Sequence, residues 1–361
     1  PIIAKEENQD EACYRQFYEE AISLCRQKRF HEVLEKCRYT SLDDEEEYSI
    51  DVIQPEKIEF KQNSYEDGEN SIISFPEFLL LVLDVCTGGE QPASHYQPDK
   101  LIEKFDALKT HFTAGEFYEK MLYYRLLLDY YTIRRDIKDG QGNYSLILKG
   151  PKDDNDKLKQ YQSMLYVSTE AFYNWLKPYL RKLEQDELHS CAEMLAFLKK
   201  EDNERHSILP ARKDLSYKAS GNIRYWFWRL DYYLWEQRST FFNEEEQKIV
   251  EHYVFRRNRS IEHLHPQDES HNEEWEEEAV HSFGNLAMIS QSFNSQQSND
   301  HIQIKFARIH EQISNKSLQS IKMFLMCKLA DFNYQNWTMK LAKEHENEMI
   351  EFLERSFYIS D

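Results

Sequence analysis

Residues that could turn this chain are scarce. Glycine and proline number 9 each in 361 residues, while Leu, Glu, Lys and Tyr abound. Tight turns and strand-rich architectures consume glycine and proline, whereas the abundant residue types suit helices. The chain is therefore expected to be mainly α, with enough length for a sizeable core and two or three sub-domains. No apolar run approaches the roughly 20 residues that span a bilayer. The longest, "FPEFLLLVLDVC" at Phe75–Cys86, fits a buried helix, so no membrane association is expected. The chain opens on Pro1 without a charged-then-apolar leader, and the missing initiator Met reads as the mark of a longer protein that was cut or processed. Six cysteines lack any C-x-x-C pair. Cys13, Cys25 and Cys37 recur every twelve residues, too far apart to share a metal on one helix. Reduced thiols and a cytoplasmic location follow as the expectation.

Helical periodicity organises most of the remainder. One or two amphipathic helices occupy "DEACYRQFYEEAISLCRQKRFHEVLEKCRY", followed by an acidic break and alternating stretches that suggest a small hairpin near 48–65. Ser74 is placed as an N-cap, with Pro76 in the first turn and Glu77 completing a capping box. Residues Thr87–Lys100 read as a linker. Helices follow through "KLIEKFDALKTHF" and "AGEFYEKMLYYRLLLDYYTIRRD", then from about Lys157 to Lys200. The segment "GNIRYWFWRLDYYLWEQRSTF" is so rich in Trp, Tyr and Phe that it reads as core or an inter-domain seam rather than a base-stacking platform. "IKFARIHEQISNKSLQSIKMFLMCKLADF" and "NWTMKLAKEHENEMIEFLERSFY" read as two closing helices. The acidic runs "DDEEE" and "EEWEEE" are taken as solvated faces, because metal sites need convergent ligands rather than consecutive ones.

Against this background "IEHLHPQD" at Ile261–Asp268 and "FGNLAMISQSFNSQQSN" stand apart. A short strand carrying Glu262 and His263 would set a carboxylate beside an imidazole, with Pro266 ending it. "FGNLAMIS" would supply a second, half-buried strand, Gly284 giving the turn its freedom. The following residues lead into a helix with Asn294 near its start. Such a strand–strand–helix unit is the layout of a ββα-metal nuclease site. Glu262 and Asn294 are oxygen donors suited to Mg²⁺ or Mn²⁺, and His263 could deprotonate a water for attack on a phosphodiester. His265 alternates with His263 and should face the other way, in a structural role. His271, His281 and His301 read as surface histidines.

The ordered set "EHLHPQ … GNLAMIS … FNSQQSN … K" resembles the HNH (His-Me finger) domain of GmrSD-type modification-dependent restriction endonucleases. The segments "SIISFPEFLLLVLD", "KMLYYRLLLDYYTIRRD", "NYSLILKG" and "RYWFWRLDYYLWE" are similar to their helical middle, so the resemblance spans about Ser71 to Ile309. It implies Glu262 as first metal ligand, His263 as general base, Asn285 as the residue that holds the hairpin in shape, and Asn294 as second ligand. Asn299 and Lys305 match later positions taken as substrate or structural support. It further implies DNA cleavage, of modified phage DNA in bacterial defence. Relatives of this type begin with a ParB-like nucleotide-binding domain bearing Asp-Gly-Gln-Gln-Arg; here only a superficial echo occurs, "DGQGN" at Asp139–Asn143. A nucleotide-binding N-terminal domain or partner subunit is accordingly expected. Glu262 stands where many HNH sites have Asp.

The formal net charge of −20 argues against a general nucleic-acid coat, since polyanion affinity rests on Lys and Arg. Arg256, Arg257 and Arg259 in "FRRNRS" are the best local candidates for phosphate contacts. The expected division is a helical scaffold over 1–245 and a small ββα-metal (HNH/His-Me finger) nuclease module with closing helices over 246–361. The alternative is a non-catalytic interaction or regulatory subunit in which the finger is only structural. An RNA nuclease would use the same chemistry.

Overall fold

The computed structural model describes residues 3–40, 68–137, 144–151, 155–168, 171–257, 259–267, 275–290 and 302–358. The elements in its first half are α1 (Ile3–Arg26), α2 (Phe30–Thr40), β1 (Gly68–Ser71), α3 (Phe75–Cys86), α4 (Leu101–Leu108), α5 (Ala114–Tyr131), β2 (Arg134–Ile137) and β3 (Tyr144–Ile147). Next come α6 (Asp156–Val167), α7 (Phe172–Glu184), α8 (Cys191–Arg205), α9 (Ile223–Glu236), α10 (Arg238–Phe241) and α11 (Glu244–Glu251). The chain continues with β4 (Arg259–His263), α12 (Glu277–Val280), β5 (Leu286–Ser290), α13 (Ile302–Ser314), α14 (Ile321–Leu329) and α15 (Met339–Arg355). The protein is mainly α, as the scarcity of turn residues implies. No helix among the described residues is long and apolar enough to cross a membrane. The possible hairpin near 48–65, "DDEEE" and "DGQGN" lie outside the described residues.

Two compact units divide the chain, one from 1–155 with 172–191, the other from 156–171 with 192–361. Residue 245, where the sequence division falls, lies inside the second unit.

In the first unit, α5 packs against α1, α3 and α7. Helix α3 starts as its sequence dictates. Ser74 Oγ accepts from Glu77 N, and the Glu77 carboxylate accepts from Ser74 N at 2.7 Å, so two otherwise orphaned donors are satisfied reciprocally. Residues 134–137, expected to continue the helix through "YYTIRRD", instead form β2. It pairs antiparallel with β1 (Ser71 opposite Arg134) and with β3 (Arg134 opposite Ile147). The β-branched pair Thr132–Ile133 ends the helix, and strands of four residues are too short to show a period in sequence.

The second unit is built around α9, of whose 14 residues 12 are buried. It packs against α6, α14, α15 and β5, which makes the aromatic segment core, as expected. Its buried Arg229 and Asp231 are paired. Arg229 Nη1 lies 3.2 Å from Asp202 Oδ2, and the hydroxyls of Tyr161 and Tyr225 donate to the same oxygen at 2.8 and 2.7 Å. The buried Asp231 carboxylate accepts from Lys322 N at 2.8 Å and from Ser320 Oγ at 3.2 Å, fixing the start of α14 where the helix dipole favours an anion. The closing region holds three helices rather than two. The break between α13 and α14 falls at Lys316, whose φ of 49° is left-handed, and Ser320 then caps the new helix.

Candidate functional site

Strands β4 and β5 pair antiparallel, with Arg259 opposite Ser290, Glu262 opposite Ala287 and His263 opposite Leu286. In chain order β4, α12, β5 and α13 follow one another, so a short helix stands between the two strands read from the motif. The pairing aligns residues 20 or more apart, and one buried amide completes the alignment beyond the ladder. Asn285, fully buried, donates through Nδ2 to the carbonyls of His265 (3.0 Å) and Val280 (2.9 Å). Its Oδ1 accepts from His265 N at 2.8 Å and from Trp337 Nε1 at 3.2 Å. All four hydrogen-bonding positions of the amide are used to join the end of β4, the end of α12 and the approach to α15.

Beside this clamp, the fully buried Lys322 donates to the carbonyls of Phe283 (2.9 Å) and Leu286 (2.7 Å). Desolvation pushes its pKa down to about 7, against the attraction of Asp231 and Glu346. Gly284 lies between these anchors, and its need differs from the expected turn freedom. A Cβ there would lie 2.1 Å from Ala342 O on α15, so glycine permits close approach of two backbones.

Glu262 is buried, and its carboxylate takes the ammonium of Lys305 on α13, which also donates to the His263 carbonyl. The side chain of His263, also buried, is surrounded by three groups. Gln267 Nε2 lies 2.9 Å from Nδ1 and 3.4 Å from Nε2, and that Nε2 lies 3.1 Å from His281 Nδ1. The Tyr217 ring meets the imidazole edge-on at 4.5 Å between centroids. Burial, with help from His281, Lys305 and His265, lowers the His263 pKa to about 3, so the ring is neutral at physiological pH. Tyr217, Gln267 and His281 line a cleft of about 430 Å³ together with Lys218, Glu277 and Val280.

The remaining sequence candidates divide. His265 stacks on Trp275 (4.1 Å, 5° between planes) and carries the backbone groups that Asn285 clamps, consistent with the structural role expected for it. His281 is not a surface residue: it is buried at the end of α12 against His263. Arg257 places its guanidinium over the Tyr166 ring at 4.0 Å and donates to Tyr166 O at 3.2 Å, which ties the segment after α11 to α6. Arg256 is exposed in the same segment, and Arg259 opens β4. Asn294, Asn299, His271 and His301 lie outside the described residues. Sequence reasoning missed His281, Tyr217 and Gln267 as neighbours of His263. Gln267 sits within the motif itself, but nothing in the sequence announces that a loop residue at 217 folds over it.

No group of three or more His, Cys, Asp or Glu side chains among the described residues is arranged as a metal site, and the Glu262 carboxylate is already neutralised by Lys305.

A mainly α unit with an acid–histidine strand, an amide-clamped turn and a following helix is thus the frame of the candidate site. Residues 202–352, all within the second unit, match the family model described as "GmrSD restriction endonucleases, C-terminal domain". That stretch is similar to the C-terminal domain of the GmrSD restriction endonucleases. No curated protein and no solved structure matches the chain.

Proposed function

We propose that the second unit is an HNH-type ββα nuclease domain that hydrolyses DNA phosphodiester bonds, in a restriction system directed against modified phage DNA. The observation that carries the reading is the pairing of Glu262 and His263 at the end of a strand, within the stretch that matches a restriction endonuclease domain. His263 acts as general base. Its imidazole takes a proton from water, and the resulting hydroxide attacks phosphorus in line with the leaving oxygen. The bond to the leaving oxygen breaks, and that oxygen collects a proton from solvent. Burial keeps the imidazole neutral but makes it a weak base, and water entering in place of the Gln267 amide relieves that desolvation. Asn285 holds the turn, and Lys305 keeps the carboxylate and the His263 carbonyl in register. Arg256, Arg257 and Arg259, with Asn299, are assigned to substrate contact by the same proposal. The requirement for Mg²⁺ or Mn²⁺, with Glu262 and Asn294 as ligands, belongs to it as well. It requires Lys305 to release Glu262.

That ion pair is also the observation favouring the second reading, a non-catalytic interaction subunit in which Lys305 permanently fills the place of a cation. The two separate in a plasmid-cleavage assay on modified and unmodified DNA with Mg²⁺, Mn²⁺ or EDTA, with and without a nucleotide-binding partner domain. Metal-dependent cutting supports the nuclease. Absence of cutting under every condition gives precedence to the scaffold, and cutting of RNA alone would change the substrate class.

A further inference from the structure

We infer that Tyr217 is a stacking platform for an unpaired base of the DNA substrate, seated in the cleft that Tyr217 lines beside the acid–histidine strand. The inference rests on the nuclease reading for its purpose, but it describes a binding site and is tested as one.

The cleft of about 430 Å³ is of small-ligand size, with room for a single nucleoside rather than a duplex. His263 does not line it, yet three of the lining residues touch His263. The Tyr217 ring lies 4.5 Å from the imidazole between centroids, Gln267 Nε2 lies 2.9 Å from Nδ1, and His281 Nδ1 lies 3.1 Å from Nε2. A nucleotide held in the cleft would stand one side chain away from that imidazole.

Charge decides which part of a nucleotide fits. Lys218 is paired with the Glu277 carboxylate, so the ammonium and the carboxylate of the lining cancel. Phosphate recognition rests on uncompensated Lys and Arg, which this lining does not offer. A nucleobase suits it better. The base is planar and neutral, its face packs on an aromatic ring, and its edge can meet the amide of Gln267.

Tyr217 is held ready for such a contact. In the second unit the aromatic helix α9 is buried, and among the described residues Tyr217 and Tyr358 are the exposed aromatic side chains. Of these two, Tyr217 lines the cleft. Its side chain is 43% exposed although its backbone is fixed. The amide donates to His281 O at 3.0 Å, Ser216 Oγ donates to the same carbonyl at 3.1 Å, and the preceding Leu215 is fully buried. The ring lies nearly parallel to the His281 imidazole, with 16° between planes and 5.8 Å between centroids, and meets His263 edge-on. A ring braced in this way loses little freedom when a base lands on it.

Fluorescence anisotropy of the full chain in EDTA tests the site without cleavage. The probes are a labelled single-stranded oligothymidylate and an abasic strand of equal length, which carries the same phosphates without bases. Tyr217→Leu should raise Kd for the base-bearing strand by roughly 10- to 100-fold and leave the abasic strand unaffected, and Tyr217→Phe should recover most of the loss. Equal loss on both strands, a leucine variant that binds like the parent, or a phenylalanine variant no better than leucine overturns the inference. In the parent chain, ring proton signals of Tyr217 should move on adding the base-bearing strand and stay in place with the abasic one. Signals that respond alike to both strands, or to neither, overturn it as well. Tyr217-dependent binding in a chain that cuts no DNA upholds the site and sinks only the nuclease reading. Metal-dependent cutting by Tyr217→Leu at the KM of the parent sinks the site and leaves the nuclease reading standing.

Discussion

Replacing Gly284 by alanine isolates one packing contact on which the site depends. The added Cβ would lie 2.1 Å from Ala342 O, 3.0 Å from Ala342 C and 2.8 Å from Glu346 Cβ. Two of these atoms belong to the backbone of α15 and cannot swing aside. Reaching ordinary van der Waals contact requires the turn and the helix to separate by more than about 1 Å. Overpacking of a filled interior costs typically about 1–3 kcal/mol, and an opposing backbone puts this case at the upper end. For a unit of this size each kcal/mol lowers Tm by roughly 2–4 °C, so the variant should melt roughly 5–10 °C below the parent. Gly221 is the control, because a Cβ there meets nothing within 4 Å and should leave Tm almost unchanged. Thermal unfolding followed by circular dichroism reads both. A Gly284→Ala chain that melts with the Gly221→Ala control would show that the turn and α15 do not approach as described.

Asn285→Ala strands the His265 amide and carbonyl, the Val280 carbonyl and the Trp337 indole, each worth about 1–3 kcal/mol when buried without a partner. A loss of more than about 3 kcal/mol in urea denaturation is expected, and an unchanged midpoint would refute the clamp. Glu262→Gln or Lys305→Met alone leaves a buried charge uncompensated and should cost roughly 3–5 kcal/mol, whereas the double variant should cost clearly less than the sum. Strict additivity would mean that the two side chains do not interact. Lys322 gives a pH signature. Its pKa falls from 10.5 to about 7 on folding, so the unfolded chain binds the proton more readily between those values. Stability from this group is complete above pH 10.5 and is lost as pH falls toward 7. The parent should therefore gain on Lys322→Met as pH rises from 7 toward 10, and parallel curves would refute the burial.

The features legible in sequence are those set by short-range chemistry. The Ser74–Glu77 capping box, the apolar helix Phe75–Cys86 and the buried aromatic helix α9 each declare themselves through neighbours within a few turns. The strands around Glu262 and Leu286 could be placed because Pro266 follows one closely, although that strand already ends at His263, and both are bounded by polar loops. What escaped depends on long-range assembly. The strand at residues 134–137 exists because β1 and β3 flank it, a pairing that the local sequence does not encode. His281 resembles a surface histidine until α12 and residues 216–217 bring it against His263. Gly284 looked like a turn residue, and only the approach of α15 reveals a packing reason for it. The Lys305–Glu262 pair joins residues 43 apart, and nothing local to either residue announces the other as its partner.

The most direct test of the central claim is DNA cleavage by the full chain against His263→Ala, with thermal unfolding to confirm that both are folded. The nuclease account predicts cutting in Mg²⁺ or Mn²⁺ that falls at least about 100-fold in the variant, the contribution of a general base. Equal cutting by a folded His263→Ala chain would contradict it.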